Sequence, residues 1–147
     1  MPATPSPLTT AGVDFRTPAG FHTQFAEYGN MSMSAAIPAS ARIVHTTGQL
    51  GWSEDGTIPT DDVEKELRQA FVNVEKTLHA AGVDQGWKGV YKVVAFHAGG
   101  LDEGRLGIYA ALIKEFCGET RVLQTSVSVP ELWDGAHIEM MVEAVLA

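Results

Sequence analysis

Residues 61 to 82, "DDVEKELRQAFVNVEKTLHAAG", decide how this chain folds. Val63, Leu67, Ala70, Phe71, Val74, Leu78 and Ala81 recur at three- and four-residue steps, which stacks them into one apolar stripe on a helix. Asp61, with Glu64 three residues on, is placed to cap the start, and Gly82 suits a left-handed exit. At roughly 1.5 to 3 kcal/mol per large side chain, burying the stripe contributes on the order of 10 kcal/mol gross. So large an apolar face has to lie on a sheet.

The rest of the chain supplies that sheet. A second helix is expected from about Asp102 to Cys117, with Leu106, Tyr109, Leu112, Ile113 and Phe116 inward and Gly118 ending it. Gly104 and Gly107 weaken its first turn. "ARIVHTTGQLGW" reads as a strand running into the turn "SEDGT", where Asp55-Gly56 favours positive φ. "GVYKVVAFHA", "RVLQTSVSV" and "HIEMMVEAVLA" read as further strands, and Met31 to Ile37 as an earlier one. The order is β-β-α-β-α-β-β, an α+β arrangement of one sheet with both helices on one face.

The other face of that sheet needs a partner. In the last strand Ile138, Met140, Val142, Ala144 and Leu146 form one side, and Glu139, Met141, Glu143 and Val145 the other. Acids mixed with Met and Val suit a face buried against another subunit, so a homo-oligomer with clefts between subunits is expected.

Composition narrows the partners. A chain of 147 residues, 45% hydrophobic, fits a single globular unit, here residues 19 to 147, behind a Pro-rich arm up to about Pro18 with little to bury. Ten basic against eighteen acidic residues leave a net charge of −8, with the basic residues scattered, which argues against a nucleic-acid partner. The opening "MPATPSPLTT" lacks the charge and apolar run of a signal peptide, and no later stretch approaches a membrane span. A cytoplasmic protein is the expectation. The single cysteine, Cys117, has no internal disulfide partner and reads as packing. The five histidines show no HxxxH or HxH spacing, so no metal site is expected. Of these, His45 points the same way as Thr47, His97 reads as core, and His79 lies on the exposed side of the first long helix.

"TTGQLG" with "DGTIPTDDVEKELRQAFVNVEKTLHAAG", then "VYKVVAFHAG", then "TSVSVPEL" leading to "IEMMVEAVLA", resembles the Rid family, the reactive intermediate deaminases also called YjgF or RidA proteins. The resemblance implies a chorismate-mutase-like fold assembled as a homotrimer, with a small-molecule cleft at each subunit boundary. Typical members hydrolyse 2-imino or enamine acids without metal or cofactor. In them an arginine holds the substrate carboxylate, while a glutamate and backbone groups near an "SGQ" turn position water.

Carried over residue by residue, the site has changed. The anion-holding arginine falls on Gln124, and Arg121, an odd number of residues away, leaves a regular strand on the opposite face. A glutamine can hold a carbonyl, enol or amide but cannot neutralise an anion. The serine of "SGQ" becomes Thr47, Gly48 is kept, and the tyrosine of the first strand falls on Met31. The acidic site residue falls on Met141, with Glu139 and Glu143 two positions to either side on the same face. Either glutamate can serve as general acid or base if burial raises its pKa. Ser126 and Ser128 share the Gln124 face and would make a polar row beside Thr47 if the strands neighbour as the resemblance implies. Trp133, in "PELWDGAH", is placed to wall or cover a cleft.

The expected activity is water addition or proton transfer on a small reactive intermediate. The substrate is an imine or enamine or, given Gln124, an enol or carbonyl from a specialised biosynthetic pathway. A non-catalytic trimeric binder of small molecules or proteins is the alternative.

Overall fold

Two nine-residue strands, β4 (Val90–Ala98) and β6 (Ile138–Leu146), pair antiparallel at the centre of the sheet, with a register shift between Val90 and Lys92. The computed structural model describes residues 6–146. β3 (Arg42–His45) adds antiparallel to β6, and β5 (Leu123–Val129) adds parallel to β4, giving the order β3-β6-β4-β5. A parallel pair requires a crossover, and α4 (Glu103–Cys117) supplies it. α3 (Val63–Ala80) packs beside α4 on the same face. The expected α+β layering is realised.

Alternation along the strands creates the core. Val93 and Ala95 of β4 and Ile138, Met140, Val142 and Ala144 of β6 are buried under Leu67, Ala70, Phe71, Val74 and Leu78 of α3. Trp87 stacks on Phe71 with ring centroids 4.8 Å apart and donates its indole N–H to the Phe71 carbonyl, 2.8 Å away. The cap of α3 is Asp62 rather than Asp61: its carboxylate accepts from the Lys65 N–H. Ala81, at the far end of the expected stripe, is exposed where the helix stops. In α4 the Asp102 side chain accepts from the Arg105 N–H, which stabilises the first turn despite Gly104.

The N-terminal region packs differently from the expectation. Met1 to Pro5 lie outside the described residues, but α1 (Pro7–Thr10) buries Leu8, only 1% exposed, and the chain continues into β1 (Asp14–Arg16). Leu8 and Val13 join Tyr91 and Val145 in a second cluster, with Phe15, Ile37 and Ile43 packed on it. An arm read from its prolines as having little to bury thus covers one end of the sheet face that the helices leave open. The strand expected at Met31 to Ile37 shortens to β2 (Ser34–Ala36) and pairs with β1 in a separate two-stranded sheet. Between them α2 (Phe21–Tyr28), not foreseen from the sequence, exposes Phe21, Phe25 and Tyr28.

Replacing Phe71 by Ala is expected to cost about 3 to 5 kcal/mol of unfolding free energy, because the cavity left under Trp87 cannot close. Removing the cap with Asp62→Ala should cost about 1 kcal/mol, and Asp61→Ala close to nothing. Denaturant titration of the three variants measures the order.

Candidate functional site

Strand register decides which candidate residues can meet. Gln124, Ser126 and Ser128 stand opposite Val93, Ala95 and His97 in the parallel β4–β5 pair, so they face the helix layer. Glu139, Met141 and Glu143 stand opposite Phe96, Val94 and Lys92 in the β4–β6 pair, on the open face. From β6 to β5 is two strand steps, roughly 10 Å. The polar row of β5 therefore does not lie beside Thr47 within one chain. The correction comes from strand order, since β6 and β4 intervene.

Around Thr47 the chain continues alongside β6 beyond the end of β3. The Thr46 N–H donates to the Val142 carbonyl at 3.1 Å, and the Val142 N–H donates to Thr46 Oγ1 at 3.1 Å. Gln49 exchanges two backbone hydrogen bonds with Met140, at 2.7 and 3.0 Å. Asn73 of α3 fixes the next residues by donating to the carbonyls of Leu50 and Trp52, at 2.7 and 2.9 Å. The Glu139 carboxylate lies directly over Gly48, where a Cβ would overlap it. Among the described residues the N–H groups of Thr47 and Gly48 have no hydrogen-bond acceptor. Carboxylate and free amides side by side can hold a water or a ligand oxygen between them.

Glu143 sits in a different setting. Its Oε2 accepts from the Tyr91 hydroxyl at 2.6 Å, while Lys92 Nζ and His45 Nδ1 lie 3.5 and 3.6 Å from Oε1. Burial pushes its pKa up, but Tyr91, Lys92 and His45 together outweigh that and hold it below the ordinary 4.5. The rise that general acid or base work would require is absent at this residue. The same pairing, after burial, raises the Tyr91 hydroxyl above its ordinary range.

The remaining candidates are scattered. Gln124 turns its amide to its own chain, donating from Nε2 to the carbonyls of Gly29 at 3.3 Å and Asn30 at 3.4 Å. Met31, half-buried, packs near Gly29, where a Cβ would meet its side chain. Ser126 is half-buried, Met141 is 39% exposed, and Trp133 is 77% exposed in a short turn where Asp134 adopts a φ of 52°. Arg121 is exposed before β5 starts and lines a cavity of about 620 Å³ with Lys88, Phe15 and Cys117, away from Gly48. Burial, with Glu75 adding, pushes the Cys117 thiol up to about 12, so it is an inert packing group. No group of three or more metal-ligating side chains occurs among the described residues, and no helix is long and apolar enough to cross a membrane.

Two features escaped the sequence reading. Glu66 is fully buried and binds His137 twice, accepting from its N–H at 2.6 Å and meeting its Nδ1 at 2.7 Å. Arg105, on the inner side of α4, is 9% exposed. Helical spacing alone places Glu66 next to Leu67, and no pattern in the sequence announces its partner 71 residues away.

The model of the endoribonuclease L-PSP family matches residues 26–146. The chain belongs to this family, the Rid or RidA/YjgF family. It is 45% identical over 65 residues to the RutC family protein YjgH of Escherichia coli, a segment covering 44% of this chain and 46% of that protein. The match thus spans about half the length of this curated relative. The structure of the Rid-family protein YyfB from Yersinia pestis superposes with a TM-score of 0.78 at 20% identity, covering 91% of this chain and 98% of that one. Protein YJGH follows with a TM-score of 0.62 at 28% identity, covering 90% and 95%. The chorismate-mutase-like fold is that of the Rid proteins.

Because Glu143 has a depressed pKa in the folded chain, the stability it contributes is present above the unfolded value near 4.5 and is lost as pH falls through the lower folded value. Tyr91→Phe removes one of the depressing groups. The Glu143 carboxyl should then titrate at higher pH by carbon NMR, and acid unfolding should begin earlier on the way down.

Proposed function

We propose that this chain is a diverged Rid-type enzyme that acts on a small reactive intermediate by water addition or proton transfer, with no cofactor. The observation that carries this reading is the Glu139 carboxylate over Gly48, beside two amides unpaired among the described residues. Of the two glutamates left open by the sequence, Glu139 is the better proton-handling group, since Glu143 is tied to Tyr91, Lys92 and His45. Thr47 and Gly48 supply the backbone donors, and Ser126 and Met141 line the approach from different copies.

A cleft with both β5 and β6 residues requires a second copy. Gln124 and Glu139 leave opposite faces of one chain, and neighbouring protomers of a homotrimer would bring the two together. The open face favours such packing, because Val127 and Met141 are exposed there and Val94 and Phe96 half-exposed. Trp133 and Met31 stand at the rim of the proposed cleft as its apolar wall. With Gln124 in place of a guanidinium, the ligand is expected to lack a carboxylate at that point, as an enol or carbonyl compound does.

A non-catalytic small-molecule or protein binder is the second reading. It is favoured by the Gln124 amide, which is engaged with Gly29 and Asn30. Ribonuclease activity, named in the family's description, is disfavoured by the net charge of −8.

A coupled assay releasing 2-iminopropanoate beside the protein should show little acceleration, and Gln124→Arg should gain carboxylate affinity. Robust deamination by the parent chain would overturn the reading of Gln124. Sedimentation showing a monomer would remove the cleft. Ligand-dependent melting shifts without turnover would favour the binder.

A further inference from the structure

A second cavity, of about 580 Å³, opens at the end of β4 where α3 and α4 both begin. Val63, Ala98 and Ile108 give it apolar walls, and Asp102, Arg105 and His137 its polar groups. It lies on the helix side of the sheet, whereas Glu139 faces the open side.

Arg105 is the unusual member. Its Nη2 donates to the Gly100 carbonyl at 2.7 Å, but its Nε is buried with no acceptor among the described residues. Among the described residues no carboxylate is within ion-pair range of it. Asp102 lines the same cavity, yet its Oδ1 is engaged by the Arg105 backbone N–H rather than by the guanidinium. His97 cannot compensate the charge: it is fully buried, neither ring nitrogen has a partner among the described residues, and burial, then Arg105, lowers its pKa. A buried cation without a counter-ion is destabilising, and an anion in the cavity would offset that.

His137 adds direction. A carboxylate only accepts, so the Glu66 contact makes Nδ1 the protonated nitrogen and leaves Nε2 without a partner among the described residues. Glu66 also takes the His137 backbone N–H, so both the ring and its attachment are held. The first turns of α3 and α4 add weak positive potential, which Asp62 and Asp102 largely offset, and Glu66 adds a negative charge behind His137. Anion recognition therefore rests on the directional donors of the Arg105 guanidinium rather than on net local charge.

We infer that this cavity is a binding site for a small organic anion, with Arg105 taking the oxyanion and His137 Nε2 hydrogen-bonding the ligand's other polar end. The inference is independent of the chemistry proposed at Gly48 and Glu139. The apolar walls fit a metabolite with a short carbon body, and the oxyanion can be a carboxylate or a phosphoryl group, since a guanidinium fork suits both.

The test is an NMR titration of the isotope-labelled full chain with butyrate and, separately, with inorganic phosphate. The amides from Gly99 to Ile108 and the His137 ring report the binding. Saturable shifts with either anion are expected, butyrate indicating a carboxylate ligand and phosphate a phosphoryl one. Arg105→Met should weaken binding at least about tenfold, and Arg105→Lys should restore part of it. Ile108→Trp, which fills the cavity and leaves the guanidinium in place, should abolish binding and covers the case in which Arg105→Met does not fold. Non-saturating shifts with both anions, or saturation that survives Arg105→Met or Ile108→Trp, would overturn the assignment.

Discussion

The antiparallel pairing of β4 with β6 is the constraint on which everything else in this molecule depends. With a side-chain period of two, one register assigns Val93, Ala95, Ile138, Met140, Val142 and Ala144 to the core under α3. The same register sends Lys92, Val94, Phe96, Glu139, Met141 and Glu143 to the open face. A slip of one residue would bury two glutamates and a lysine and expose the core. The burial of the helix stripe thus specifies where the carboxylates stand, and the acids need no local interaction to be placed there.

The two glutamates of β6 show how neighbours divide roles within one face. Glu139 lies over a glycine and beside unpaired amides, a setting that offers hydrogen bonds without countercharge. Glu143, four residues on, meets a phenol, an ammonium group and an imidazole, and is held ionised. The first environment leaves a group available to a ligand, and the second anchors it to the chain's own side chains. Buried polar groups on the helix side follow the same logic: Glu66 is fully engaged by His137, whereas Arg105 keeps a donor with no acceptor among the described residues.

Several elements were legible because they rest on local chemistry. The stripe from Leu67 to Leu78, the Gly82 exit, the start of α4 at Asp102 and the alternation of β6 all follow from periodicity and capping, which act over a few residues. The N-terminal region was misread because proline and small residues signal only that a segment cannot build its own core. Leu8 and Val13 borrow one from Tyr91 and Val145. The displacement of the helix cap from Asp61 to Asp62 is of the same kind, a choice between adjacent carboxylates that the approach of the preceding loop settles.

By itself the sequence determined the α+β class, the family and the sign of the charge, since each depends on residue type and short-range spacing. Only the tertiary structure decided that Gln124 and Glu139 leave opposite faces two strands apart, and that Glu66 meets His137. It alone showed that Arg105 is buried with no carboxylate partner among the described residues. Those facts depend on strand order and on contacts between residues far apart along the chain. Such contacts are set by which faces pack together, and no short-range pattern encodes them.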